Sequence, residues 1–288
     1  MTRIFDEPGR LEQTRYSSLE YEYWIIGVET YALGLPLEQV RDGLAYVALA
    51  SLRVAQLRGT DDAFPLFAVT LDPADPSRAI DGPRQVSQGK DYSLGNSRDN
   101  FRGVTAALAA GEFDLAQRIA ALALDPPDAS YLGPSSEVCT PSDQRVAYAV
   151  RHLYADEADA ALDLLARLRP SKRDERVADH ADVARMVRAL ALGDAGLFLG
   201  GLGDLLAWHR MTATKKWNYN DHDYILCLPG LGLSALAIRR GLIARDRLPE
   251  GDEFFPLELI DLGRDRAGLD ADRHFANPSI WWLPEDPG

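Results

Sequence analysis

Two short clusters of aspartate and histidine hold the residues of this chain best suited to metal chemistry. Residues 179–182 read Asp-His-Ala-Asp, and residues 221–223 read Asp-His-Asp. Imidazole nitrogens and carboxylate oxygens bind divalent metals, and a bound metal can activate a water molecule for hydrolysis. Together with a later aspartate, Asp261 or Asp265, the two clusters could supply the ligands of a hydrolytic metal site.

The order of these residues along the chain resembles the ligand order of HD-type metallophosphohydrolases. A histidine, a His-Asp pair and a later aspartate follow one another, here as His180, His222-Asp223 and Asp261. The resemblance implies a metal-dependent phosphohydrolase, which we keep as an alternative function. The competing interpretation needs no metal: Asp221 or Asp223 caps the following helix, and His222 forms a hydrogen bond at the surface or between helices.

Three residues of a predicted loop, Ser135, Ser136 and Cys139, could act as nucleophiles with His152 as the base. The sequence around them has neither the Gly-x-Ser-x-Gly of a hydrolase nucleophile nor the signature of a cysteine enzyme. A polar loop with a small buried thiol is the favoured interpretation. We therefore predict that the protein is not an enzyme, with no catalytic residue, no metal ligand and no cofactor.

Charge and composition narrow the kinds of partner. The chain has 288 residues and a formal net charge of -13, from 44 acidic against 31 basic residues. This balance argues against nucleic acid or an anionic membrane as the direct partner, and it suits either a basic partner or simple solubility. Only Cys139 and Cys227 are present, and the first residues lack a secretory signal, which together predict a cytoplasmic protein.

The elements that must position these residues are helices. Leucine and alanine dominate while β-branched residues are sparse, which favours helices, and apolar residues recur at helical spacing. We predict an all-α, multi-helix array of antiparallel helix pairs, tetratricopeptide-like, with long Pro/Asp-rich loops. The predicted helices run from 17 or 18 to about 33, 36 to 58, 97 to about 110, 113 to about 120, 141 to 153, 156 to 168, 174 to 192, around 198 to 210, and from 223 to 240.

The helix that ends at residues 239–241, Arg-Arg-Gly, is predicted to be the buried centre of this array. Its small residues Gly230, Gly232 and Ser234 leave room for a neighbouring helix, and Pro229 either starts the helix or kinks a longer one. The glycines within residues 200–203 lack the context of a dinucleotide or phosphate loop. They predict a kink or a close helix crossing instead.

Three regions make up what we predict to be one compact unit. Residues 1–92 form an N-terminal helical hairpin and an acidic loop over 60–92, with one short extended piece at 67–71. Residues 93–248 form the helical core, which a second loop at 125–140 interrupts. Residues 249–288 form a Pro-rich, acidic tail whose apolar groups, such as Phe254-Phe255 and Trp281-Trp282, tie it back onto the core.

Three stretches resemble the immunity protein 49 family of bacterial polymorphic toxin systems: residues 91–123, 184–210 and 223–242. Particularly similar are Ala-Leu-x-x-Gly-Asp at 189–194 and the Leu-Ala-x-Arg-x-Gly helix end at 236–241. More distantly, Tyr-Ala-Leu-Gly-Leu-Pro-Leu-Glu at 31–38 and Phe-Phe-Pro-Leu-Glu-Leu at 254–259 are similar to PoNi-type immunity proteins against DNase effectors.

This resemblance implies a non-enzymatic protein that binds a cognate toxin domain and blocks it. A nuclease toxin binds phosphate and so carries a basic face, which an acidic inhibitor can match in charge. A helical-repeat scaffold with a non-toxin partner is a further alternative. Aromatic anchors also suit interfaces, although Trp217 and Tyr219 could equally plug the start of the next helix. We expect the contact residues among Asp72, Asp75, Trp217, Tyr219, Asp221, Asp223, Glu250, Asp252 and Glu253.

Overall fold

The computed structural model shows an array of packed helices, which confirms the predicted all-α fold class. It describes residues 28–29, 31–58, 64–66, 71–72, 75–79, 84–86, 97–122, 141–168, 175–214 and 224–262. Within those ranges the helices are α1 (Leu37–Arg58), α2 (Ser97–Ala109), α3 (Phe113–Ala121), α4 (Pro141–Tyr154), α5 (Ala158–Ala166), α6 (Glu175–Leu192), α7 (Ala195–Ala213), α8 (Leu228–Arg239) and α9 (Leu257–Leu262). Within the described ranges, no helix is both long enough and apolar enough to cross a lipid bilayer.

The connection between α1 and α2 carries short strands where the sequence predicts a single extended piece. Strand β1 (Phe64–Leu66) pairs antiparallel with β4 (Arg84–Val86), and β2 (Leu71–Asp72) pairs antiparallel with β3 (Asp75–Ala79). Strands of two to five residues are too short to show a clear alternation of apolar and polar residues, so the sequence pattern did not reveal them.

Helices pair along the chain in the predicted way. Helices α2 and α3, α4 and α5, and α6 and α7 pack against each other, and each pair is joined by a connection of two or three residues. Short connections force neighbouring helices to run antiparallel. The first helices of successive pairs also contact one another, α2 against α4 and α4 against α6. This stacking is the arrangement expected of a tetratricopeptide-like array.

Glycines in the left-handed region end helices at the predicted places. Gly111 after α2 has φ +80°, and Gly241 after α8 has φ +70°. In both cases the following residue donates its backbone N–H back into the last turn, Glu112 to the Ala107 carbonyl and Leu242 to the Ala237 carbonyl. These bonds satisfy carbonyl groups that a helix end otherwise leaves without a partner, and they stop the helix sharply.

Helix α8 is the buried centre of the array, as the sequence predicts. Pro229 lies in its first turn and starts the helix at Leu228, so the N-cap is Cys227 rather than an aspartate of the preceding cluster. The helix packs against α2, α6, α7 and α9. At the α2 crossing, a Cβ on Gly232 would lie 2.5 Å from the Thr105 carbonyl oxygen, so the two backbones are in direct contact.

Glycines make two other crossings close. Gly103 of α2 faces Ser51 of α1 so closely that a Cβ would collide with the serine side chain. Gly201 of α7 lies against α6, where a Cβ would be 3.0 Å from the Met186 side chain. Of the three glycines at 200–203, this one makes the predicted close crossing, because nothing lies within 4 Å of a Cβ at the other two.

The start of the tail packs on the helical core. Phe255, Leu257 and Leu259 are buried, and α9 contacts both α1 and α8. Residues 254–259, the nearer of the two predicted anchors of the tail, thus lie against the helical core. The second predicted anchor, Trp281-Trp282, lies outside the described residues.

Candidate interaction surface

The turn at residues 252–255 is fixed by its own aspartate. One carboxylate oxygen of Asp252 accepts a hydrogen bond from the Arg210 guanidinium at the end of α7, and the other accepts from the Phe254 backbone N–H at 3.0 Å. The Asp252 side chain is only 2% exposed, whereas Arg210 is half-exposed. A buried carboxylate needs such partners, because leaving it without them would cost several kcal/mol.

Asp252 therefore holds the turn in place and does not meet solvent. The sequence predicts it as a surface contact residue, together with Glu250 and Glu253, because an acidic run in a tail is usually exposed. The fold buries the middle carboxylate of the three and leaves its neighbours at the surface. A second anchor acts nearby, where the Cys227 N–H donates to the Phe254 carbonyl at 2.8 Å and joins the turn to the start of α8.

Tyr31 attaches the N-terminal part of the chain to the same turn. Its hydroxyl donates a hydrogen bond to the Glu253 carbonyl oxygen at 2.6 Å, across 222 residues of sequence. Partial burial raises the pKa of Tyr31, and the negative charges of Glu253, Glu258 and Asp252 raise it further. The hydroxyl thus stays protonated as a donor, and it lies in a negative electrostatic field.

Two acidic side chains near this hydroxyl are exposed, and so are two leucines that follow Tyr31 in the chain. Glu253 and Glu258 are exposed, and neither forms an ion pair with any residue that the structure describes. Leu33 is 75% exposed and Leu35 is 43% exposed, on the turn that Gly34 makes before α1. We call this set, Tyr31, Leu33, Leu35, Glu253 and Glu258, the Tyr31 face.

Glu250 has a partner of its own. The Arg245 guanidinium donates hydrogen bonds to Glu250 at 2.6 Å and to Asp261 of α9 at 2.9 Å, and these bonds raise the pKa of Arg245. The charge of Glu250 is therefore partly neutralised at the surface. Asp261, a candidate metal ligand in the sequence, is engaged in the same way.

The other predicted contact residues are placed in part. Asp72 and Asp75 are opposite each other in the β2–β3 ladder, so the backbone brings this pair together. Four candidates lie outside the described residues: Trp217, Tyr219, Asp221 and Asp223. The predictions for these four stay predictions.

The candidate metal ligands are likewise only partly placed. In the described ranges, no group of three or more His, Cys, Asp or Glu side chains could hold a metal ion. Asp182 lies 3.6 Å from Arg185, and its pKa is raised by burial against the opposing effect of that arginine. His222, Asp223 and Asp265 lie outside the described residues, and so do the candidate nucleophiles at 135–139.

The sequence did not reveal several residues of this region. His209 is buried beside the turn, where its Nε2 lies 2.9 Å from the Tyr224 carbonyl and its ring packs against Phe254. Glu258 and Leu33 are the other two.

Comparisons of the chain with protein-family models, with curated proteins and with solved structures find no match.

Proposed function

We propose that this protein is an immunity protein that binds a cognate bacterial toxin in the cytoplasm and neutralises it by direct contact. The toxin we envisage has a basic active face, as a nuclease has. The protein itself acts as a binding partner and not as an enzyme. The proposal joins the resemblance of three stretches of the chain to immunity protein 49 with the acidic surface described above.

One observation carries the proposal: two exposed carboxylates lie near the same tyrosine hydroxyl, Glu253 on the anchored 252–255 turn and Glu258 in the first turn of α9, and neither has an ion-pair partner among the described residues. Glu253 and Glu258 act together with Asp252 on a single tyrosine hydroxyl, so negative charge is concentrated there. Like charges held near one another repel, and a basic partner surface relieves that repulsion.

The net charge of the whole chain supports the same kind of partner. A formal charge of -13 attracts a basic protein over distances of about a Debye length, roughly 8 Å at physiological salt. Electrostatic attraction of this kind can raise association rates by about 10-fold to 1,000-fold. Fast association suits an inhibitor that must capture a toxin before it acts.

The test is co-expression of this chain with the toxin domain encoded beside its gene. We expect the cells to survive and the two proteins to co-purify as a one-to-one complex, whereas an unrelated toxin domain still kills the cells. Cell death without any co-purification would overturn the proposal. If no toxin gene is adjacent, a helical scaffold with another partner becomes the better interpretation.

A further inference from the structure

Exposed leucines mark the Tyr31 face as unlike the rest of the described surface. Nearly all leucines in the described ranges are at least partly buried, and the other exposed large apolar side chains are Leu122, Leu192 and Met211. Single exposed leucines are ordinary on a protein surface. Leu33 and Leu35 are instead two residues apart on one turn, which directly follows Tyr31 in the chain and is closed by a hydrogen bond from the Gly34 N–H to the Tyr31 carbonyl.

Negative charge lies near Tyr31, the residue that precedes this turn. Tyr31 is two residues from Leu33 in the chain, and its hydroxyl is bonded to the Glu253 backbone at 2.6 Å. The carboxylates of Glu253 and Glu258 act on that hydroxyl. An apolar centre with a charged rim is the usual composition of a specific protein interface, in which tyrosine is enriched.

Both halves of the face are held by the fold. Arg210 fixes Asp252, Tyr31 fixes Glu253, and Arg41 of α1 donates to the Leu262 carbonyl at the end of α9 at 3.4 Å. Helix α9 also packs on α1. Because the backbone beneath Glu253 is already held, little backbone entropy is lost there when a partner binds.

We propose that the Tyr31 face is the surface that binds the toxin, and that it accepts a protein surface on which arginine or lysine side chains flank an apolar centre. This inference rests on the proposed function and adds the location of the interface. Nucleic acid would be repelled by the carboxylates. A second copy of this chain, docked face to face, would bring like charges together.

The first experiment reverses the charges of the face. In the double variant Glu253→Lys/Glu258→Lys we expect the association rate constant with the purified toxin domain to fall by about tenfold or more at low salt, with a weaker salt dependence. The matched control is Asp114→Lys/Asp159→Lys, which changes the net charge equally at exposed positions. Asp114 follows Phe113, against which Arg239 at the far end of α8 stacks, so the control lies away from the face.

The second experiment removes the apolar centre. Leu33→Gln should raise the dissociation constant by roughly fivefold or more, since truncated central contacts carry much of the binding energy. The control Leu192→Gln, at another exposed leucine, should leave it unchanged. Thermal unfolding of every variant is measured first; if the lysine pair fails to fold, Glu253→Gln/Glu258→Gln takes its place.

The outcomes separate the two proposals. If wild type binds the toxin and both the charge and the leucine variants bind equally well, the Tyr31 face is not the interface, although the immunity function stands. If the association rate constant of the Asp114/Asp159 control falls as far as that of the face variant, the effect comes from net charge. The Tyr31 face is then again not the interface. If wild type fails to bind the toxin at all, the proposed function itself fails.

Discussion

The crossing of α2 and α8 and the Tyr31 face use their residues in opposite ways. At the crossing, Gly232 lies against the Thr105 backbone, and no room is left for a single added carbon. At the face, Leu33 is 75% exposed, and the carboxylates of Glu253 and Glu258 have no ion-pair partner in the described part of the chain. The crossing is fully packed within the protein, whereas the side chains of the face are exposed.

The same contrast between structural groups and exposed groups recurs around the 252–255 turn. The anchors of the 252–255 turn, such as Arg210 with Asp252, contribute to the fold and also hold Glu253 in position. The exposed carboxylate of Glu253 contributes little to the free energy of folding. Substitutions in the first set should therefore change the free energy of unfolding, and substitutions in the second set should change binding alone.

The largest expected effect is at the crossing. Gly232→Ala should lower the free energy of unfolding by about 1–3 kcal/mol, because its Cβ must push apart two backbones in contact. Gly203→Ala, in the middle of α7, has nothing within 4 Å of its Cβ and should raise stability by about 0.5–1 kcal/mol, through a less flexible unfolded chain. Urea denaturation of both variants measures the contrast. A loss of the same size in both would mean that the crossing is not close.

A smaller loss is expected when the turn loses its anchor. Asp252→Ala removes the partner of Arg210 and the acceptor of the Phe254 N–H, and should cost about 2 kcal/mol. The half-exposed Arg210 can be hydrated again, which keeps the loss below that of a fully buried pair. The control is Asp163→Ala, which breaks an exposed ion pair with Arg167 on α5 and should stay within about 0.5 kcal/mol. Equal denaturation midpoints for the two variants would contradict a structural role for Asp252.

The pH dependence of stability should reveal the burial of His209. Burial lowers the pKa of His209 from its ordinary 6.5, against the opposing effects of the Tyr224 carbonyl and of Asp252. As the pH falls below about 6.5, the unfolded chain takes up a proton that the folded protein resists, so stability is lost from that pH down to the folded pKa. Denaturation at about pH 7.5 and pH 5.5 measures how far the free energy of unfolding changes with pH. His209→Gln should reduce this change, and an equal change in the variant would show that another group is responsible.

The smallest effect on stability is expected at the face itself. Glu253→Gln removes one of the carboxylates near Tyr31, so the free energy of unfolding should change by less than about 0.5 kcal/mol, as for other surface substitutions. The pKa of the Tyr31 hydroxyl should fall, because a negative charge that raises it is gone. Titration of labelled tyrosine by NMR, assigned with Tyr31→Phe, measures this shift. A stability loss comparable to that of Asp252→Ala would place Glu253 among the structural residues.

Helical spacing was enough to predict the array and the close packing of α8, although the crossing at Gly103 was not predicted. The small residues Gly230 and Gly232 predict a close approach of a neighbouring helix. Pro229 left open whether it starts this helix or kinks a longer one from residue 223, and the structure shows that the helix starts at Leu228. The tertiary pairing of Tyr31 with Glu253 joins positions 222 residues apart, and no local pattern encodes it. The burial of Asp252 between two exposed glutamates was equally hidden, because it depends on Arg210, which lies 42 residues earlier in the chain.

The most direct test of the Tyr31 face is hydrogen–deuterium exchange of the full chain, alone and in complex with the toxin domain. We predict that the complex slows exchange at backbone amides of residues 31–38 and 252–260, and leaves α5 and the C-terminal end of α8 unchanged. Slowed exchange confined to other segments, such as residues 60–92 or 215–223, would contradict the assignment of this face as the toxin-binding surface.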